Sequence, residues 1–282
     1  MSRITLFFVF LSIGNALFSQ APFPDPGEVE KFYDTKTFIV LEDDIFSEYN
    51  VFIRQAISDY WELTDYDFIS TTEFNALRKD PLYSFIVLTA TRFDKDRSGT
   101  IYNFINLLLG KDVRQIEDMP EFCAIPLSVQ GVEDTEYSHK LAMVIRFMQS
   151  HVDHIREDPS MKGKQYLKYY NKFIPEVKNK TILVAEKDMA PALKTEEAAG
   201  KYYPYELKIV TDAEIDRAIM DKAKDTLILH MVAPQEADES GLCFKMLLGT
   251  GDAKMYFYGE HKISGRRPNG LLVNDLKRIG RF

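Results

Sequence analysis

"KTFIVLEDD" (residues 36–44) and "KTILVAEKD" (residues 180–188) share Lys, Thr, Val, Glu and Asp at five of nine positions. Each is an apolar run of strand length that ends in carboxylates. The matches continue along the chain. "FISTTEF" (68–74) lies over "IVTDAEI" (209–215), "YSFIVLT" (83–89) over "DTLILHM" (225–231), and "LLLGKD" (107–112) over "MLLGTG" (246–251), all at offsets of 139–144. Segments that recur in one order at one spacing indicate an internal duplication, with a period far longer than a solenoid's.

Within each copy the pattern alternates between strand and helix. Apolar runs at 37–41 and 181–185 read as first strands. Ile53, Ala56, Ile57 and Tyr60 recur at helical spacing in the first copy, and Pro191 suits a first helical turn in the second. Ser70…Glu73 and Thr211…Glu214 are capping boxes, in which a hydroxyl accepts from an orphan backbone N–H and the Glu reaches back. Leu141, Val144, Ile145, Met148, Val152 and Ile155 form one stripe of a final helix from about Glu136 to Ile155, with its counterpart near 271–279. The predicted fold is α/β: a β-α-β-α-β-β-β-α unit present twice, each copy a mixed sheet flanked by helices. Its expected bounds are 20–158 for the first repeat, 159–178 for a linker with a short helix, and 179–282 for the second repeat. Taken one copy at a time, the element order is similar to that of the amino-terminal domain of TolB-type periplasmic proteins. That likeness implies a fold and carries no function.

At the start, Arg3 precedes an apolar run from Ile4 to Ile13, and small residues follow at Gly14, Ala16 and Ser19. This is the order of a secretory signal peptide, expected over 1–19. The run is too short to cross a bilayer, which takes ~20 apolar residues. The expected location is secreted or periplasmic, with no membrane span after cleavage. The formal charge is −8, which excludes a general nucleic-acid binder, because phosphate contacts need a basic surface. The basic tail from Lys254 to Phe282 reads as a solvated face.

"DKDRSGTI" (94–101) resembles the opening of a calcium loop, yet Tyr102 and Ile105 occupy positions 9 and 12, where the loop needs oxygen ligands. Strand-like runs flank it, and the duplication places "DRSG" (96–99) over "DESG" (238–241). Asp-x-Ser-Gly is turn chemistry, and both segments are read as hairpin turns. Cys123 and Cys243 lie in apolar runs and are read as buried free thiols. His151 and His154, one helical turn apart, lack a third ligand in register and are read as solvated residues near a helix end. No metal site and no cofactor are expected. No Gly-x-Ser-x-Gly elbow, His-Glu-x-x-His or Ser-x-x-Lys is present.

One constellation occurs twice. Glu42 and Asp44, with Glu186 and Asp188, fall at the carboxyl ends of the first strands, the edge where open α/β sheets bind ligands. They are the candidate ligand-binding residues, suited to a cationic group. The alternative role for Asp44 and Asp188 is to cap the helices that follow. The functional expectation is an exported, non-enzymatic module that binds a protein or small-molecule partner. Its rival is a carboxylate-dependent hydrolase whose site assembles only in three dimensions.

Overall fold

A computed structural model describes residues 21–282, apart from 45, 94, 95, 97, 159, 162–165 and 236–239. The expected signal segment lies outside the described residues. The first copy runs α1 (Pro26–Phe32), β1 (Lys36–Val40), α2 (Glu48–Tyr60), β2 (Tyr66–Ile69), α3 (Thr71–Leu77), β3 (Tyr83–Arg92), β4 (Ile101–Leu109), β5 (Glu121–Val129) and α4 (Leu141–Glu157). After α5 (Tyr166–Tyr169) and a 3-10 stretch (Tyr170–Asn179), the second copy runs β6 (Thr181–Ala185), α6 (Glu196–Gly200), β7 (Leu207–Val210), α7 (Asp212–Met220), β8 (Thr226–Val232), β9 (Leu242–Gly249), β10 (Met255–Lys262) and α8 (Val273–Ile279).

Each copy builds a five-stranded mixed sheet, and the two have the same strand order: β2-β1-β3-β4-β5 and β7-β6-β8-β9-β10. The crossovers pair parallel strands, and the last three strands form an antiparallel meander. Both predicted capping boxes form. Ser70 N and Thr211 N each donate to the following Glu at 2.8 Å, and each hydroxyl accepts from the Glu N–H at 3.3 Å.

The backbone register refines the sequence match. Thr37 pairs with Tyr66 and Ser84, whereas in the second copy Ile182, not Thr181, pairs with Leu207 and Leu227. Lys36 N donates to Leu82 O as Thr181 N donates to Asp225 O. The structural offset of the first strands is therefore 145, one more than the identities suggest. Side chains alternate between faces along a strand, so a slip of one residue exchanges the two faces.

At the structural offset, equivalent residues keep equivalent faces, and the copies differ in which face each turns to the other. In the first copy, Ile39 joins the central core with α1, α2 and α4, while Phe38 and Val40 face α3. In the second, the residue equivalent to Ile39 is Val184, which points outward toward Leu193 and Leu276. Leu183 and Ala185 face the centre with Ile215 and Ile219 of α7. The copies thus stack unlike face to unlike face, with α4 between them. Hence α4 buries Met143, Val144, Ile145, Phe147, Met148 and Val152 on more than the one predicted stripe, each worth ~1.5–3 kcal/mol against exposure. Its Arg146 guanidinium donates to Thr250 O (2.7 Å) and Gly251 O (3.3 Å), at the turn after β9.

Sheet edges are blunted in the same place twice. Phe68 N, on the free side of β2, donates to Asp67 Oδ1 (2.9 Å), and Ile209 N, on the free side of β7, donates to Glu196 Oε1 (2.9 Å). A carboxylate on an edge N–H discourages further strand pairing.

The described residues of the calcium-like segment, Asp96 and 98–100, sit between β3 and β4, as the turn reading requires. Asp96 is buried and accepts from Ser98 N (3.2 Å) and Ser98 Oγ (2.7 Å), and Gly99 takes φ +81°. Asp94 lies outside the described residues. Gly241 is constrained differently: its backbone is near-extended, and a Cβ there would stand 2.6 Å from Tyr102 Oη. Tyr102 Oη accepts from Leu242 N (2.6 Å), and Thr100 Oγ1 donates to Ser240 O (3.1 Å), so the two hairpins lean on each other. Cys123 and Cys243 are both free and buried.

His151 departs from the sequence reading. It is fully buried, with Nδ1 2.7 Å from Tyr170 Oη and Nε2 donating to Phe122 O at 2.9 Å. Phe122 of β5 on one side and Tyr166 and Tyr170 of the segment after α4 on the other remove it from solvent, a covering invisible in a single stripe.

Candidate functional site

The candidate carboxylates separate into an open end and a closed end. In the first copy, Glu42 Oε2 accepts from Ser47 Oγ (2.5 Å) and Asp44 Oδ1 accepts from Phe46 N (2.9 Å). Asn50 ties this turn down: its amide donates to Glu42 O and Asp44 O, each at 3.0 Å, and its Oδ1 accepts from Glu42 N. Glu42, Asp43 and Asp44 remain exposed. Asp44 does not cap α2, whose N-cap is Ser47.

Exposed apolar side chains follow on the same turn and at the start of α2. Phe46 is 86% exposed, Val51 65% and Phe52 39%. Beneath them Tyr49 is fully buried, and its hydroxyl has no partner. Burial, with the nearby Glu42 carboxylate as a second cause, holds that hydroxyl well above the usual phenol range. Tyr49 N donates to Asp134 Oδ2 (3.0 Å), so the α2 amino end leans on a carboxylate from the β5–α4 connection.

The matching end of the second copy is filled by the first copy. Two 3-10 turns, Asp134–Glu136 and Ser138–Lys140, precede α4, and Lys140 reaches Asp188, its Nζ 3.4 Å from Oδ2. Both side chains are buried. Burial raises the Asp188 carboxyl, against the pull of Lys140 and Lys187. Lys187 bridges Glu136 (2.7 Å) and Asp212 (2.8 Å), and His139 Nε2 lies 3.8 Å from Asp212 Oδ1. Nearby, His230 is buried, Nε2 donating to Pro126 O at 2.8 Å and Nδ1 without a partner. Glu186 is exposed, 3.8 Å from Lys194. Asp188 caps no helix: the residue before the next 3-10 turn is Ala190. The cationic group expected at these carboxylates is, in the second copy, the chain's own Lys140. Nothing in the sequence marks this lysine.

Two further arrangements escaped sequence reading. On the outer face of the second sheet, buried Lys245 contacts Asp275 and His261 Nδ1 (2.9 Å), while His261 Nε2 donates to Pro268 O (3.0 Å). Asp275 also accepts from Leu272 N (2.9 Å), so the cluster pins the start of α8. At the amino-terminal edge of the first sheet lies an open cleft of about 790 Å³, lined by Tyr33, Asp34, Lys36, Trp61, Glu62, Asp65 and Tyr66 among others. Two of its lining hydroxyls are joined through the core: Trp61 Nε1 donates to Thr64, followed by buried Thr37 and Ser84 and then Thr35, which donates to Phe32 O.

Among the described residues no group of three or more His, Cys, Asp or Glu side chains is arranged to hold a metal ion, and no helix is long and apolar enough to cross a membrane. No family model, curated protein or solved structure matches the chain.

Proposed function

We propose that this chain is an exported, non-enzymatic binding module of the cell envelope or exterior, which captures a partner at the open strand end of the first copy. The observation that carries the reading is the closeness in sequence of exposed Phe46, Val51 and Phe52, before and within the start of α2, to the exposed carboxylates of Glu42, Asp43 and Asp44 on the preceding turn. Contiguous apolar surface rimmed by polar groups is the usual dress of an interaction site. The leader-like residues 1–19 support export. A photo-reactive side chain at Phe52 should give a discrete cross-linked adduct in the native envelope, while the same group at exposed Asn274 should not. Equal labelling from both positions would sink the reading.

The cleft favours a second reading, a carboxylate-dependent hydrolase, because Asp34, Glu62 and Asp65 line one cavity. On that reading Glu62→Gln with Asp34→Asn abolishes hydrolysis of a glycoside and ester panel by the wild type. A wild type inert on the whole panel removes it.

A further inference from the structure

We propose that the open strand end of the first copy seats a basic side chain from an extended or 3-10 segment of a partner protein, among Glu42, Asp43 and Asp44, with that segment's apolar neighbours against Phe46, Val51 and Phe52. The proposal rests on the binding reading above and names its partner's chemistry.

The chain already performs this docking on itself. At the second copy's strand end, the segment Ser138–Leu141 lays Lys140 on Asp188, turns His139 toward Asp212 and buries Leu141 in the central core. The strand register places Asp43 at the position that Asp188 holds, since β1 and β6 align at an offset of 145. Because the copies stack unlike face to unlike face, the first copy's element fills the second copy's end. Among the described residues no third copy is left to fill the first copy's end.

The exposed surface agrees. Seven large apolar side chains stand exposed among the described residues. Three of them, Phe46, Val51 and Phe52, fall within seven positions of one another, while Leu82, Tyr202, Met220 and Phe282 are scattered in sequence. The buried, unpartnered Tyr49 hydroxyl is close enough to Glu42 to feel its charge. The carboxylates suit an ammonium or guanidinium rather than a metal ion. They sit on successive residues of an exposed turn and do not converge as ligands, and Asn50 already holds the backbone oxygens of Glu42 and Asp44. A net charge of −8 adds long-range attraction for a basic partner.

The probe is a labelled synthetic peptide with the sequence of residues 136–146, "EYSHKLAMVIR", titrated against the full chain and followed by fluorescence anisotropy. Saturable binding is expected, weakened about tenfold by Asp43→Asn with Asp44→Asn, since several exposed ion pairs together contribute on that scale. A similar loss is expected from Val51→Ser with Phe52→Ser, and from replacing the peptide's lysine by glutamine. The substituted side chains are exposed, so urea midpoints should match the wild type and confirm folding. Absence of saturable binding, or binding unchanged by the carboxylate pair, overturns the proposal. Loss on Asp188→Asn alone does so too, since the peptide would then be entering the second copy's end. A Phe52 adduct alongside a failed titration overturns this inference alone. Failure of both removes the binding reading as well.

Discussion

Between pH 7 and pH 5 three histidines and one carboxyl are together expected to cost the fold about 3–4 kcal/mol, a large part of the ~5–15 kcal/mol typical of a domain. Two fully buried histidines, His151 and His230, and the largely covered His139 drive the loss. Burial lowers His139 to about 4 and His151 and His230 to about 3. In the unfolded chain each returns to ~6.5. A group whose folded pKa is depressed contributes stability above its unfolded pKa and loses it as pH falls. Each histidine should therefore cost roughly 2 kcal/mol over this interval, the unfolded state taking up protons that the folded state refuses. Glu121 opposes them. It is mostly buried at the start of β5, and burial raises its carboxyl to about 7. A carboxyl raised when folded binds its proton first in the folded state, so acidification from pH 7 to 5 returns roughly 2 kcal/mol. Urea titrations followed by the buried Trp61 measure the balance. His230→Gln should flatten the pH dependence by about one histidine's share, ~2 kcal/mol, and Glu121→Gln should steepen it by a like amount. Equal stability at the two pH values, or greater stability at pH 5, would refute the assignment.

The same histidines show where sequence reading stops. Strand runs, capping boxes and the duplication depend on local chemistry and on residues near in sequence, so they are legible: Ser70…Glu73 and Thr211…Glu214 cap as read. The register of β6 is not, because "TILVA" carries an apolar residue at nearly every position and fits a strand in either phase. Only the neighbours β7 and β8 decide the phase, and with it which face looks inward. The unlike stacking, the burial of His151 against β5 and the segment after α4, and the insertion of Lys140 into the second copy are likewise set by contacts between residues far apart in sequence. The candidate carboxylates were found as a set, but their division into an open and a closed end depends on tertiary stacking. Exposure of Phe46 and Val51 was equally hidden, because an apolar residue in a sequence does not say whether it is covered.

Lys140→Met is expected to destabilise the fold by ~3–5 kcal/mol at pH 7, the cost of leaving one member of a buried ion pair uncompensated. Lys140 and Asp188 are each less than a tenth exposed and lie 3.4 Å apart, at the seam between the copies. Their mutual attraction offsets the desolvation of both groups, so the pair adds little net stability when intact. Removing the ammonium leaves Asp188 buried beside an apolar chain. Burial already raises that carboxyl, and without Lys140 it should rise further and take up a proton. Such a group loses stability as pH climbs above its unfolded value, so the penalty should shrink below about pH 5 and reach its full size near neutrality. Combining Lys140→Met with Asp188→Asn removes both charges and should recover most of the loss. That recovery, a coupling of at least ~2 kcal/mol in the double-mutant cycle, separates a charge effect from simple misfit of methionine. A single variant that unfolds at the wild-type urea midpoint, or a double variant no more stable than the single, would mean that the seam is held by apolar packing alone and that Asp188 is solvated in the native protein.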